Sequence, residues 1–231
     1  LCEGYTQGNL VILPKEYAFD FLLFAHRNSK SCPIIDVMDP GIYNTNIAEA
    51  DIRTDISKYF VFENGKLIDE VPDILGYWRE DLVTFLIGCS FSFEKALVDS
   101  GIEMLHQKSR KTPAIYITNI PCEKAGIFEG PTVVSMRPLK KRDLVKAVEI
   151  TSRFTRTHGA PLQMGSPELL GIKDIKKPDF GQFTEYDIEE HEPVFWACGV
   201  TPQVVAMQSK PSLMITHAPG HMFISDIKEN I

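Results

Sequence analysis

The sequence lacks every signature that would assign chemistry at once. Its five cysteines are an odd number in 231 residues. They are scattered at Cys2, Cys32, Cys89, Cys122 and Cys198, with no Cys-x-x-Cys pair. This argues against a disulfide framework and a structural zinc site, and makes the cytoplasm the expected compartment. There is no P-loop, no G-x-G-x-x-G and no H-E-x-x-H. Gly88-Cys89-Ser90-Phe91-Ser92 is not a G-x-S-x-G elbow, because Ser92 stands where the last glycine belongs. No apolar run approaches the ~20 residues of a membrane span, and no signal-peptide pattern opens the chain. It starts at Leu1 rather than Met, so residues upstream are expected. Positive charge is also short: 24 Lys and Arg against 31 Asp and Glu leave a net −7. Neither nucleic acid nor a membrane is therefore an expected partner. An acidic metabolite would need locally placed arginines.

What is present is ordinary globular composition, 44% hydrophobic and 24% charged. Residues 9–13 read as a buried strand, 15–26 as a helix with Tyr17, Phe21 and Phe24 inward, and 33–37 as the next strand. This order implies a parallel pair. Residues 59–71 read as a hairpin closed by Asn64-Gly65, the preferred type I′ turn. Residues 102–106, 114–119 and 131–138 read as strands, and 140–154 as a helix. The loop QKSRKT between the first two strands reads as a solvated basic tip. APLQM is expected as a short strand, and Ser166-Pro167 as a capped helix start. Residues 193–199 and 212–217 read as strands around a helix opened by Thr201-Pro202, and HMFISD ends the chain. The expected fold is α/β: a three-layer α/β/α domain made from both ends (1–115 and 186–231), with a smaller two-layer α+β domain (116–185) inserted.

The chain is organised around residues 81–101. Trp78, Leu82, Phe85, Leu86 and Cys89 share one face of a helix; a buried strand over 82–87 is the rival reading. Gly88-Cys89-Ser90 then makes a tight turn, and Ser90 or Ser92 can cap a following helix with Glu94 in its first turn. Such a helix mouth suits an anion or carboxylate, and would lower the Cys89 pKa.

Ligands in open α/β sheets sit beyond strand ends. Those ends place Asp36, Asn119, Cys198-Gly199 and His217. Asp36 also reads as a loop cap, Asn119 as a turn residue and Cys198 as a core thiol. His217-Ala-Pro-Gly-His221 and His158-Gly-Ala-Pro each set histidine at a Gly/Pro corner, as an acid/base group or as plain structure. No metal is indicated, although a divalent ion at the first pair stays open. Arg137 and Arg153 are candidates to grip a carboxylate, or surface ion pairs.

Several long segments carry a resemblance. GYTQGNLVILP (4–14), FLIGCSFSFE (85–94), TNIPC (118–122), GPTVVSMRP (130–138), HGAP (158–161), FWACGVTPQ (195–203) and ITHAPGHMF (215–223) resemble the D-glutamate cyclase family, whose bacterial members carry a hydro-lyase label. The family normally has a short helical segment before GYxQxN, and Gly8 replaces an expected alanine. The resemblance implies a three-layer α/β fold with a smaller domain and conversion of D-glutamate to 5-oxo-D-proline and water. On that reading Cys89, Ser90 and Ser92 meet the oxyanion and carboxylate. Arg137 or Arg153 holds a carboxylate with Asn119. Asp36 and Gly199 complete the binding set. His217 is the acid/base, with His158 or His221 in reserve, and Cys89 as a thioester nucleophile is the minority route. A non-catalytic carboxylate binder and a lactam or amide hydrolase are the alternatives. A homodimer is a base-rate expectation.

Overall fold

The computed structural model describes residues 4–229; Cys2 lies outside them. β1 (Tyr5–Pro14) ends at a proline and leads straight into α1 (Lys15–Arg27), which buries Phe21, Phe24 and Ala25. β2 (Ile34–Met38) follows, then β3 (Tyr59–Glu63) and β4 (Lys66–Val71) as the expected hairpin. Asn64 and Gly65 take φ of 49° and 78°, the positive pair that a type I′ turn requires.

β5 (Leu82–Gly88) is the central correction. The stretch read as a helix face is a strand with every residue buried. It lies between β1 and β2 and is antiparallel to both. A strand covered on both faces shows no alternation, so its apolar run imitates a helix stripe. The same insertion changes the first strand–helix–strand unit. β1 and β2 run in the same direction but never pair, because β5 sits between them. All the ladders are antiparallel.

After β5 come a 3-10 turn at Ser90–Phe93 and the short α2 (Glu94–Asp99). No side chain caps either, so the expected serine cap is absent. Residues 102–104 are irregular and α3 (Leu105–Lys108) replaces the rest of the expected strand. Next are β6 (Ala114–Pro121), β7 (Pro131–Lys140), α4 (Leu144–Ser152) and the two-residue β8 (Gln163–Met164). Ser166 adopts left-handed φ (45°) before a 3-10 turn and caps nothing. The chain closes with β9 (His191–Ala197), α5 (Thr201–Ser209), β10 (Met214–His217) and β11 (Phe223–Lys228).

The seven-stranded sheet has the order β2-β5-β1-β10-β3-β4, with β11 also on β1; the four-stranded sheet is β6-β7-β9-β8. β9, read with the large sheet, pairs with β7 and β8 in the small one. The second strand–helix–strand unit therefore crosses between sheets. The α/β architecture stands, with layers on both faces of the large sheet. One face packs Phe21 and Phe24 of α1 and Val205 and Ala206 of α5 against Val11, Leu13, Phe85 and Ile87. The other is covered by irregular chain through Ile52, Ile56 and Ile74 rather than by helices.

Candidate active site

Where the sheets meet, a cavity of about 140 Å³ opens. The large sheet contributes Asn9 (β1), His217 (β10) and the turn Cys89–Ser90 after β5. The small sheet contributes Ser135 and Arg137 (β7) and Cys198 just beyond β9. Alternation along β7 explains the pair: Ser135 and Arg137 share one face, while Val134 and Met136 enter the core on the other. Asn9 joins the two turns. Its Nδ2 donates to Gly88 O at 3.0 Å and Ile87 O at 3.3 Å. Gly199 lies so close that a Cβ there would stand 1.8 Å from Asn9 Nδ2.

Arg137 is 1% exposed and Glu94 4%, so their charges survive only as a pair. Arg137 Nε donates to Glu94 Oε1 at 2.7 Å and Nη2 lies 2.5 Å from the same oxygen. Nη2 also donates to Ser90 Oγ (3.1 Å) and Nη1 to Ser135 Oγ (2.9 Å). Gln107 Nε2 donates to Glu94 Oε2 at 2.7 Å, and His106 Nε2 lies 3.2 Å from it. Burial alone would raise the Glu94 pKa; the Arg137 charge and these hydrogen bonds outweigh it and hold the carboxyl at about 2. A guanidinium has five N–H groups. These contacts take four of them and leave one, on Nη1, at the cavity.

His217 is fixed in one tautomer. Its Nδ1 accepts the Leu10 N–H at 3.2 Å, so the ring proton sits on Nε2, which has no protein partner among the described residues. Burial pushes its pKa down to about 4, so the ring is neutral near pH 7. In this tautomer it offers an N–H, not a lone pair; the expected acid/base role becomes that of a neutral donor. The Cys89 thiol is likewise not the activated one expected of a helix mouth. Burial pushes it up to about 12, against the small opposing pull of the Phe91 N–H and Arg137. The helix that follows has six residues and its start is a 3-10 turn, so little dipole acts on the sulfur.

The other expected site residues lie elsewhere. Ser92 Oγ accepts the Gln7 N–H (2.9 Å) and fastens β1 to the turn. Asp36 Oδ2 accepts from Thr45 Oγ1 (2.5 Å) and Asn46 N (3.0 Å), the loop-cap reading. Asn119 is exposed on β6 and packs against Gly171. Arg153 is exposed at the end of α4. His158 is buried beside Lys30, Nδ1 to Lys30 O at 2.8 Å, in a separate pocket. His221 binds Ser57 Oγ through Nδ1 at 2.7 Å, outside the cavity wall. Asn9, Glu94 and Ser135 escaped sequence reasoning, and Cys198, read as a core thiol, stands on the wall. The signal available was the S-x-R alternation inside VVSMRP and the one amide in NLVILP.

The basic loop is also more than a solvated tip. Gln107, Arg110, Lys111 and Thr112 line an open cleft of about 480 Å³ that shares Phe91, Thr112 and Pro113 with the cavity. Among the described residues no three His, Cys, Asp or Glu side chains converge as a metal site. Nor is any helix there long and apolar enough to cross a membrane.

Comparison with known proteins adds an independent finding. The model of the family described as D-glutamate cyclase matches residues 83–226. A protein named "Putative hydro-lyase" from Oceanobacillus iheyensis is 58% identical over 226 residues, covering 98% of this chain and 90% of its own length. Its namesake from Geobacillus kaustophilus is 56% identical over 232 residues, covering 99% and 88%. Among solved structures, a nitrogen repressor-like protein from Methanococcus jannaschii aligns with 95% of this chain and 87% of its own at a TM-score of 0.45 and 9% identity. That likeness is too low to carry an argument.

Proposed function

The chain belongs to the D-glutamate cyclase family, and we propose that it is a carbon–oxygen lyase converting D-glutamate to 5-oxo-D-proline and water. The observation that carries this reading is the convergence on one small cavity of a spare Arg137 N–H, the Ser90 hydroxyl and the His217 Nε2–H. Those are donors placed for a carboxylate and for an oxyanion.

The reaction needs little proton traffic with the protein. The substrate's ammonium attacks its own γ-carboxyl group, so the reacting atoms share one molecule. Two of the ammonium protons end on the departing oxygen, which leaves as water, and charge balances within the substrate. Arg137 holds the α-carboxylate. Neutral His217 donates to the γ-carboxyl oxygen that gains charge at the tetrahedral stage, much as a preorganised oxyanion donor does. Cys89 stays a thiol; its raised pKa disfavours the thioester route. A non-catalytic carboxylate binder would do without a histidine on the cavity wall, and His217 there favours catalysis. A lactam hydrolase would use the same groups in reverse.

The test is proton NMR of the purified protein with D-glutamate, L-glutamate and 5-oxo-D-proline, with and without divalent metal. Enzyme-dependent 5-oxoproline from the D-isomer alone is expected. Line broadening without conversion would move the reading to a binding protein.

A further inference from the structure

The proposed cyclisation leaves two groups on the cavity wall unused, the thiols of Cys89 and Cys198. Each is buried, at 6% and 7% exposure. They come from different sheets, Cys89 just after β5 and Cys198 just after β9, and both line the same cavity. Their surroundings repeat. Each cysteine ends a strand and begins a turn into helical chain. Each sulfur takes the backbone N–H two residues on, from Phe91 and from Val200. Each feels the Arg137 charge, and the Cys198 thiol is close enough to act on Cys89. Asn9 packs on both turns, through Gly88 O and Gly199. Core packing alone asks for none of this; a buried structural thiol is apolar and inert.

We infer that Cys89 and Cys198 form a two-thiol acid–base pair that removes and returns the α-proton of a small amino acid or its lactam, a stereoinversion distinct from lactam formation. The inference shares the carboxylate-binding site of the proposed function, not its reaction. In the step, one sulfur as thiolate takes the proton from Cα. The electron pair left on carbon spreads into the carboxylate, which Arg137 Nη1–H and His217 Nε2–H stabilise. The other thiol then gives its proton to the opposite side of that carbon. Substrate and product are enantiomers. The proton has moved between sulfurs, so no oxidant or co-reactant is consumed, and the next turnover runs in the reverse sense. Burial makes the thiolate scarce, but once formed it is a stronger base toward carbon than a solvated one.

The experiment is deuterium exchange in D₂O, followed by proton NMR, with the full chain and D-glutamate, L-glutamate, 5-oxo-D-proline and 5-oxo-L-proline in turn. Wash-in at Cα above the protein-free blank is expected for at least one enantiomeric pair. Cys89→Ser and Cys198→Ser should each lose about 100-fold in exchange, on the scale of one general acid–base group, and lose it first from opposite enantiomers. Thermal unfolding of each variant controls for folding. Absence of wash-in from all four acids with the wild-type chain overturns the inference, whatever the variants do. So does unchanged exchange in a folded Cys198→Ser protein. The γ-carbon signals report cyclisation in the same tubes. Cyclisation without wash-in sinks only the thiol pair, and wash-in without cyclisation sinks only the cyclase reading.

Discussion

A buried histidine is a liability toward acid, and this protein has two whose pKa values lie at about 4 against a usual 6.5. The unfolded chain takes up these protons as pH falls through 6.5, while the folded chain resists until about 4. Stability is therefore full above 6.5 and declines across that window, by about 3 kcal/mol per histidine as an order of magnitude. Glu94, held at about 2 against a usual 4.5, adds its loss only at still lower pH. Urea unfolding at pH 7, 5.5 and 4.5 should show the decline. His158→Asn should roughly halve it, since asparagine tolerates the left-handed backbone at φ 78°. An unchanged slope would mean that His158 titrates freely in the fold. Glu94→Gln should cost about 3–5 kcal/mol by leaving the Arg137 charge buried and unpaired, while Arg137→Met with Glu94→Leu should cost less than that single change. Double-mutant unfolding measures the difference. At this scale the sequence was partly legible. Arg137 could be picked out as a cation inside a strand of apolar residues. Glu94 could not, because a glutamate in a first helical turn reads as a helix-end charge until the fold brings β7 beside it.

Elements explain which expectations failed. Period-2 and period-3.6 patterns separate only when one face is wet. β3–β4 has a wet side and an Asn-Gly turn, and was legible to the residue. β5 has neither, since β1 and β2 flank it and both faces are covered. Serine-rich turns failed for a related reason: Ser92 spends its hydroxyl on the Gln7 N–H across the β1–β5 junction, a contact that no local rule anticipates. The two glycines at the strand-end turns show how closely these elements meet. A Cβ on Gly88 would lie 1.9 Å from Arg156 O, and one on Gly199 would lie 1.8 Å from Asn9 Nδ2. Gly88→Ala meets rigid backbone and should lower stability by several kcal/mol, read as a drop in urea midpoint. Gly199→Ala meets a side chain that can swing. It should spare more of the stability but displace Asn9 from Gly88 O and reduce turnover of D-glutamate. Loss of stability in Gly199→Ala equal to that in Gly88→Ala would show that the Asn9 bridge is structural.

At the scale of the whole molecule, a protein of net charge −7 is asked to take up an anion. Its general field opposes the encounter, so the approach to the cavity must reverse the sign locally. The cleft beside the cavity does so. Lys95, Arg110 and Lys111 line it, and its one carboxylate, Glu94, is already neutralised by Arg137. Lys111 Nζ is committed to Phe183 O at 2.9 Å, which makes Arg110 the cleaner probe. It is exposed, and its left-handed φ of 53° belongs to the turn after α3. Arg110→Glu exchanges one exposed side chain for another at the same backbone strain, so it should not change stability by more than ~0.5 kcal/mol. If the cleft guides the substrate, KM for D-glutamate should rise severalfold with kcat unchanged. The gap between variant and wild type should then close as salt is raised from about 0.05 M to 1 M, where screening shortens the reach of a charge to ~3 Å. A salt-independent rise in KM would instead place Arg110 in direct contact with bound substrate. An unchanged KM at low salt would mean that the anion reaches the two-sheet junction by another path.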